Sequence, residues 1–165
     1  MNRYREHAKG FVVILLATVA LMLIFSLPAN AVGPADLDTN AVDTNMVVAQ
    51  CNAARNANGV LPLSESETLS KAAAQRAKEA ATQRSHIRPN GTPYYTAVTV
   101  ALNPYVGENL AGGSYTSETV VTAWMNSAGH RENILDPEFH YIGVGYYVSE
   151  TGTIYWCELF SDIEY

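Results

Sequence analysis

Three short strings hold the side chains that could do chemistry: SHIRPNG at 85–91, GENLAGG at 107–113 and AGHRENIL at 128–135. They supply His86, Glu108 and His130. Two imidazoles and one carboxylate form a borderline-hard donor set that suits zinc, with a fourth position left for water. Metal-bound water would then be a nucleophile for attack on a carbonyl. A second chemistry needs no metal. Ser127 lies three residues before His130, so one helical turn would face hydroxyl and imidazole together, with Glu108 as orienter. No Gly-x-Ser-x-Gly, His-Glu-x-x-His or Cys-His nucleophile signature supports an enzyme independently. Each residue also has a structural reading. His86 suits a hydrogen bond to a backbone carbonyl in the turn before Pro89, Glu108 suits accepting loop N–H groups, and His130 after Gly129 suits a packing role. A purely structural surface protein would have no site at all.

Taken together, the strings resemble the CAP superfamily, the secreted fold of cysteine-rich secretory proteins, insect venom antigens and plant pathogenesis-related proteins. The Ser-His-x-Arg-Pro and Gly-His-Arg-x-Asn-Ile-Leu forms resemble its bacterial secreted branch, and the match runs from about Val47 to Phe160. The resemblance implies an α+β fold, a three-layer α-β-α sandwich with a small antiparallel sheet. It also implies a cavity in which His86, Glu108 and His130 occupy three of four family positions. The fourth is an acid three residues after a helix tryptophan, whereas here Trp124 is followed by Met125, Asn126 and Ser127. With that acid absent, less negative charge faces a divalent cation, and the zinc site expected is weak and pH-dependent. The function implied is a binding module for a small apolar, lipid or cell-wall ligand. The alternative is a metal-dependent or serine-type hydrolase.

The elements that must position these residues are partly visible. Asp43 reads as the N-cap of a helix to about Asn56 that buries Val47, Val48, Cys51, Ala54 and Arg55. Asn52, Arg55 and the exit Gly59–Leu63 also resemble the family's first helix and turn. Ser64 and Glu67 form a capping-box pattern ahead of a stripe of Leu69, Ala72, Ala73, Arg76, Ala77 and Ala80, and side chains this small predict close approach to a neighbouring layer. Residues 92–106 fit either a strand, from Thr96, Val98 and Val100, or a loop with a short helix. A helix from Thr116 or Ser117 carries Val120, Val121 and Trp124 inward and stops around Ser127–Gly129. Ile142–Val148 and Thr153–Phe160 read as a hairpin. Arg88, Arg131 and Asn133 read as loop-holding residues, the numerous tyrosines as sheet surface or a groove rim, and His140 and His7 carry no functional weight.

Composition bounds the rest. Residues 1–10 carry Arg3, Arg5 and Lys9, residues 11–27 are uncharged and apolar, and Ala29-Asn30-Ala31 has a small-x-small form. This reads as a signal peptide over 1–31, or as an uncleaved anchor through 11–27, with a linker at 32–42 and one domain at 43–165. The chain is then secreted, or held at the membrane by that segment alone. The formal net charge of −6 falls to −8 without residues 1–31, which contain three basic groups and one acid. An acidic surface with no basic stripe disfavours nucleic acid as partner. Cys51 and Cys157, a pair in an oxidising compartment, are expected to form a disulfide from the early helix to the last strand, constraining the unfolded chain by roughly 4 to 5 kcal/mol. The alternative is two separate buried thiols.

Overall fold

The Asp43 carboxylate accepts hydrogen bonds from the N–H groups of Asn45 and Met46 and so starts α1 (Thr44–Ala57). The computed structural model describes residues 42–98, 105–113 and 115–165. The signal segment, the linker up to residue 41 and Val100 of the 92–106 stretch lie outside the described residues. After α1 come β1 (Ser64–Glu65), α2 (Glu67–Thr82), a 3-10 turn at Tyr94–Ala97, β2 (Val106–Gly113), α3 (Ser117–Met125), α4 (Ala128–Leu135), β3 (Tyr141–Val148) and β4 (Ile154–Ser161). Among the described residues no helix is long and apolar enough to cross a membrane.

The four strands run in the order β1-β3-β4-β2. β3 and β4 form the expected hairpin, β2 pairs antiparallel with β4, and the two-residue β1 lies parallel to β3. The sheet is therefore mixed rather than wholly antiparallel. Ser64 belongs to β1, its N–H donating to the His140 carbonyl, and the cap of α2 is Ser66, which accepts from the Leu69 N–H. The 92–106 stretch contains the short helical turn and then, from Val106, a strand.

Period-two alternation splits the core into two layers. Ile142, Val144, Ile154, Trp156 and Phe160 face α1, α3 and α4, while Leu110, Cys157 and Leu159 face the leucine–alanine stripe of α2. Gly143 and Gly145 let α2 lie directly on β3. A Cβ on Gly143 would fall 2.2 Å from the Leu69 carbonyl carbon, and one on Gly145 would fall 2.1 Å from the Ala74 nitrogen. The alanine stripe thus does what its small side chains predict.

The same alternation overturns the expected disulfide. Cys51 packs with the α1 layer and Cys157 with the α2 layer, so the backbone of β4 stands between two free thiols. Each meets a carboxylate instead. Cys51 Sγ donates to Glu158 Oε1 at 2.8 Å, and Cys157 Sγ lies 3.8 Å from Glu108 Oε2. Burial first, and these carboxylates next, push both thiols well above their ordinary range, which leaves them protonated and inert.

Candidate functional site

Glu108 lies on β2 facing α2, and its carboxylate is already engaged. Arg76, wholly buried in the middle of the alanine stripe, donates from Nε to Oε2 at 2.7 Å and from Nη2 to Oε1 at 3.3 Å. His86 Nδ1 sits 2.8 Å from Oε1. Arg76 also donates to Glu79 and to the Ser85 carbonyl, and Arg88 donates to Glu79 from the far side, Nη2 to Oε1 at 2.7 Å. Burial alone would raise the Glu79 carboxyl, but hydrogen bonds from Arg88, Arg76 and Gln75 outweigh it and bring it to about 2. For Arg76 the desolvation that opposes its charge is likewise outweighed by Glu108 and Glu79, and its pKa is raised. A chain Arg88–Glu79–Arg76–Glu108–His86 therefore fixes the loop after α2 against β2. Arg88 works through a carboxylate and Thr96 rather than through backbone carbonyls.

This arrangement does not fit the zinc site the sequence implied. The carboxylate that would have been the anionic ligand is neutralised by a guanidinium, and a divalent cation placed on it would be repelled by Arg76. Among the described residues no group of three or more His, Cys, Asp or Glu side chains is arranged to hold a metal ion. The serine triad is not assembled either. Glu108 orients His86, not His130, and no hydrogen bond joins Ser127 to His130.

His130 comes from the other face. The buried Asn109 donates to the His130 carbonyl at 3.0 Å and to Glu158 Oε2 at 3.0 Å, while Asn133 donates to Asn109 Oδ1 at 2.9 Å and to the Glu108 carbonyl at 3.2 Å. These bonds seat α4 on β2, and Arg131 adds a bond to the Met125 carbonyl at 3.1 Å. Glu158 is fully buried, and desolvation raises its carboxyl to about 7 against the hydrogen bonds from Cys51 and Asn109. Burial, and then the nearby His86, lower the His130 pKa, so the ring favours its neutral form.

Between these two supports lies an open cleft of about 440 Å³ at the edge strand β2. Arg84, Ser85 and His86 line one side, Leu110, Ala111 and Gly112 the floor, and Tyr115, Trp124, Ser127 and His130 the other. His86 and His130 thus line one cavity, while Glu108 stands behind His86 and lines a smaller hollow of about 200 Å³. Of the tyrosines, Tyr115 forms part of the rim. Two residues that govern the site escaped the sequence reading as functional groups. Arg76 was visible as the one cation in an alanine stripe, and Glu79 as its partner one turn on.

A mixed sheet covered by one helix on one face and three on the other, with two histidines lining an edge cleft, defines an α-β-α sandwich class. The family model of the cysteine-rich secretory protein family (CAP) matches residues 48–160, and this chain belongs to that family. The uncharacterized protein YkwD of Bacillus subtilis is 42% identical over 118 residues, 69% of this chain and 45% of that protein, so the chain spans about half of that relative's length. An outer surface protein of Borrelia burgdorferi superposes with a TM-score of 0.65 at 22% identity, over 73% of this chain and 92% of that one. An extracellular protein of Bacillus anthracis containing an SCP domain gives 0.62 at 23% identity, over 72% of this chain and 40% of that one. These likenesses show the fold, and the relatives are bacterial, as the Ser-His-x-Arg-Pro and Gly-His-Arg-x-Asn-Ile-Leu forms implied.

Proposed function

We propose that the chain is an extracellular binding module that receives a small lipid or cell-wall ligand in the β2-edge cleft. The observation that carries this reading is the state of Glu108. Its charge is spent on Arg76, which makes it a scaffold for the cleft wall rather than a group waiting for substrate. What remains in the cleft is a mixed surface of guanidinium, imidazole, hydroxyl, indole and aliphatic groups, the lining that orients and holds a ligand. An outer-surface relative and an extracellular relative support the location. The test is retention of the full chain on purified bacterial cell wall and on vesicles of bacterial lipid, beside a Trp124→Ala, His130→Ala variant whose fold is checked by circular dichroism. Retention of wild type on either material, lost in the variant, is the expected result. Equal retention of both chains would remove the cleft from the reading.

One observation favours a second reading, a hydrolase. The Glu108 carboxylate holds His86 through Nδ1, as a general base is held, and Ser127 lines the same cleft. An ester and peptide substrate screen compares wild type with Ser127→Ala and His86→Ala. Turnover lost in both variants would establish that reading against the binding module.

A further inference from the structure

Among the described residues the outer edge of β2 is only half covered. The Asp162 N–H donates to the Tyr105 carbonyl, so the peptide groups of odd-numbered residues from 105 onward point at β4 and those of even-numbered residues point away from the sheet. Two of the outward carbonyls are capped by side chains, Val106 by the Tyr94 hydroxyl and Glu108 by Asn133. No side chain or loop among the described residues hydrogen-bonds the outward peptide groups of Leu110 and Gly112, and these two residues line the cleft floor. An edge with unpaired N–H and C=O groups is a template for one more strand.

The ionisable groups that line the cleft itself include one arginine and no carboxylate. Arg84, His86, His130 and Tyr115 line the cleft, although the chain as a whole carries a net charge of −6. Arg84 makes no ion pair or hydrogen bond within the described residues. Ser127 and Ser85 add hydroxyl donors. Ser127 is also the N-cap residue of the eight-residue α4, yet its side chain makes no capping bond, so the first turn of that helix, whose Ser127 and His130 line the cleft, has no side-chain cap. Trp124, 1% exposed and part of the same wall, has an indole N–H with no acceptor among the described residues. An unsatisfied buried donor beside an uncapped helix start and an unpaired arginine describes a place for an oxygen anion.

We infer that the cleft binds an extended peptide with a free carboxylate, its backbone adding to β2 at Leu110 and Gly112 and its carboxylate meeting Arg84, His130 and the start of α4. This rests on the binding-module reading and names its ligand class. The strand supplies backbone hydrogen bonds that any peptide can make, while the donors at the helix start select for the anionic end.

The experiment is a titration of the isotopically labelled full chain, followed by amide and indole resonances, with N-acetyl-trialanine, its C-terminal carboxamide and inorganic phosphate. The expected result is saturable shifts from the free-acid peptide at the amides of Leu110, Gly112 and His130 and at the Trp124 indole. The carboxamide should bind about tenfold more weakly, the loss of one charge-assisted hydrogen-bonded contact, and Arg84→Ala, an exposed substitution, should weaken the free acid by a similar factor. Equal binding of acid and carboxamide overturns the anion site, and phosphate binding without peptide binding overturns the added strand. Cleft shifts with a lipid or cell-wall fragment but with neither peptide refute this inference and leave the binding module standing. Silence of the cleft residues to both peptides and to phosphate refutes this inference, and retention on cell wall and lipid vesicles decides the binding module separately.

Discussion

Glu158 offers a quantitative test of how the two layers of this fold share one strand. Its carboxyl lies fully buried beneath α1 with no cation beside it, accepting from the Cys51 thiol and the Asn109 amide. Desolvation carries it from an ordinary value of 4.5 to about 7 in the folded chain. A folded-state pKa above the unfolded one means that the native state holds its proton longer, so stability falls as pH rises between those values. The gap corresponds to about 3 kcal/mol, absent below about pH 4.5 and complete above about pH 7. Glu158→Gln keeps the shape and one of the two accepting oxygens but cannot ionise, so its pH-independent loss of one acceptor drops out of the comparison across pH. Urea unfolding of both full chains from about pH 4.5 to 8 should therefore show the variant gaining on wild type by about 3 kcal/mol across that range. His130, whose lowered pKa makes stability rise with pH in an overlapping window, is present in both chains and cancels in the difference. Glu79, held at about 2, contributes stability that is lost only as pH falls from 4.5 toward that value, outside the range measured. A difference between the two chains that stays constant within about 0.5 kcal/mol would refute the buried, unpaired carboxyl.

Three further outcomes follow from the packing. The denatured full chain, prepared without reductant, should release two titratable thiols, since Cys51 and Cys157 lie on opposite faces of β4; no thiols with a mapped Cys51–Cys157 peptide would contradict that separation. Arg76→Met strands the buried Glu108 carboxylate and should cost about 3 to 5 kcal/mol in urea unfolding, with much of the loss recovered when Glu108→Gln is added; a cost below about 1 kcal/mol would show that the pair is not the anchor of β2. Gly145→Ala drives a Cβ into the backbone of α2 and should cost about 3 kcal/mol or more, whereas Gly129→Ala, with open space around it, should stay within about 0.5 kcal/mol; equal losses would mean α2 does not rest on β3.

What could be read in the sequence was whatever depends on neighbours in the chain. The cap at Asp43, the inward face of α3 and the β3–β4 hairpin are local patterns, and each lies within a residue or two of its expected place. β2 was missed because VGENLAGG has three glycines and no run of β-branched residues, and its strand character comes from pairing with β4. The separate helix α4 was hidden by its balanced AGHRENIL sequence, which has no apolar stripe and is held by Asn109 and Asn133 instead. The disulfide expectation failed because redox compartment and cysteine count say nothing about which face of β4 a cysteine occupies, although the alternation Trp156, Cys157, Glu158 contained that answer once β4 was known to be covered on both sides. The zinc expectation failed for a related reason. The sequence shows a glutamate and two histidines, but whether the glutamate is a ligand or a counterion depends on an arginine 32 residues earlier that the sheet brings to 2.7 Å. With the family's second acid absent after Trp124 and its first acid neutralised by Arg76, the histidines face a cleft that carries donors and no exposed carboxylate. Ser127 in place of an acid three residues after Trp124, and a guanidinium on Glu108, thus leave little negative charge at this cleft to hold a cation, which is why the ligand must be argued from this chain's own side chains.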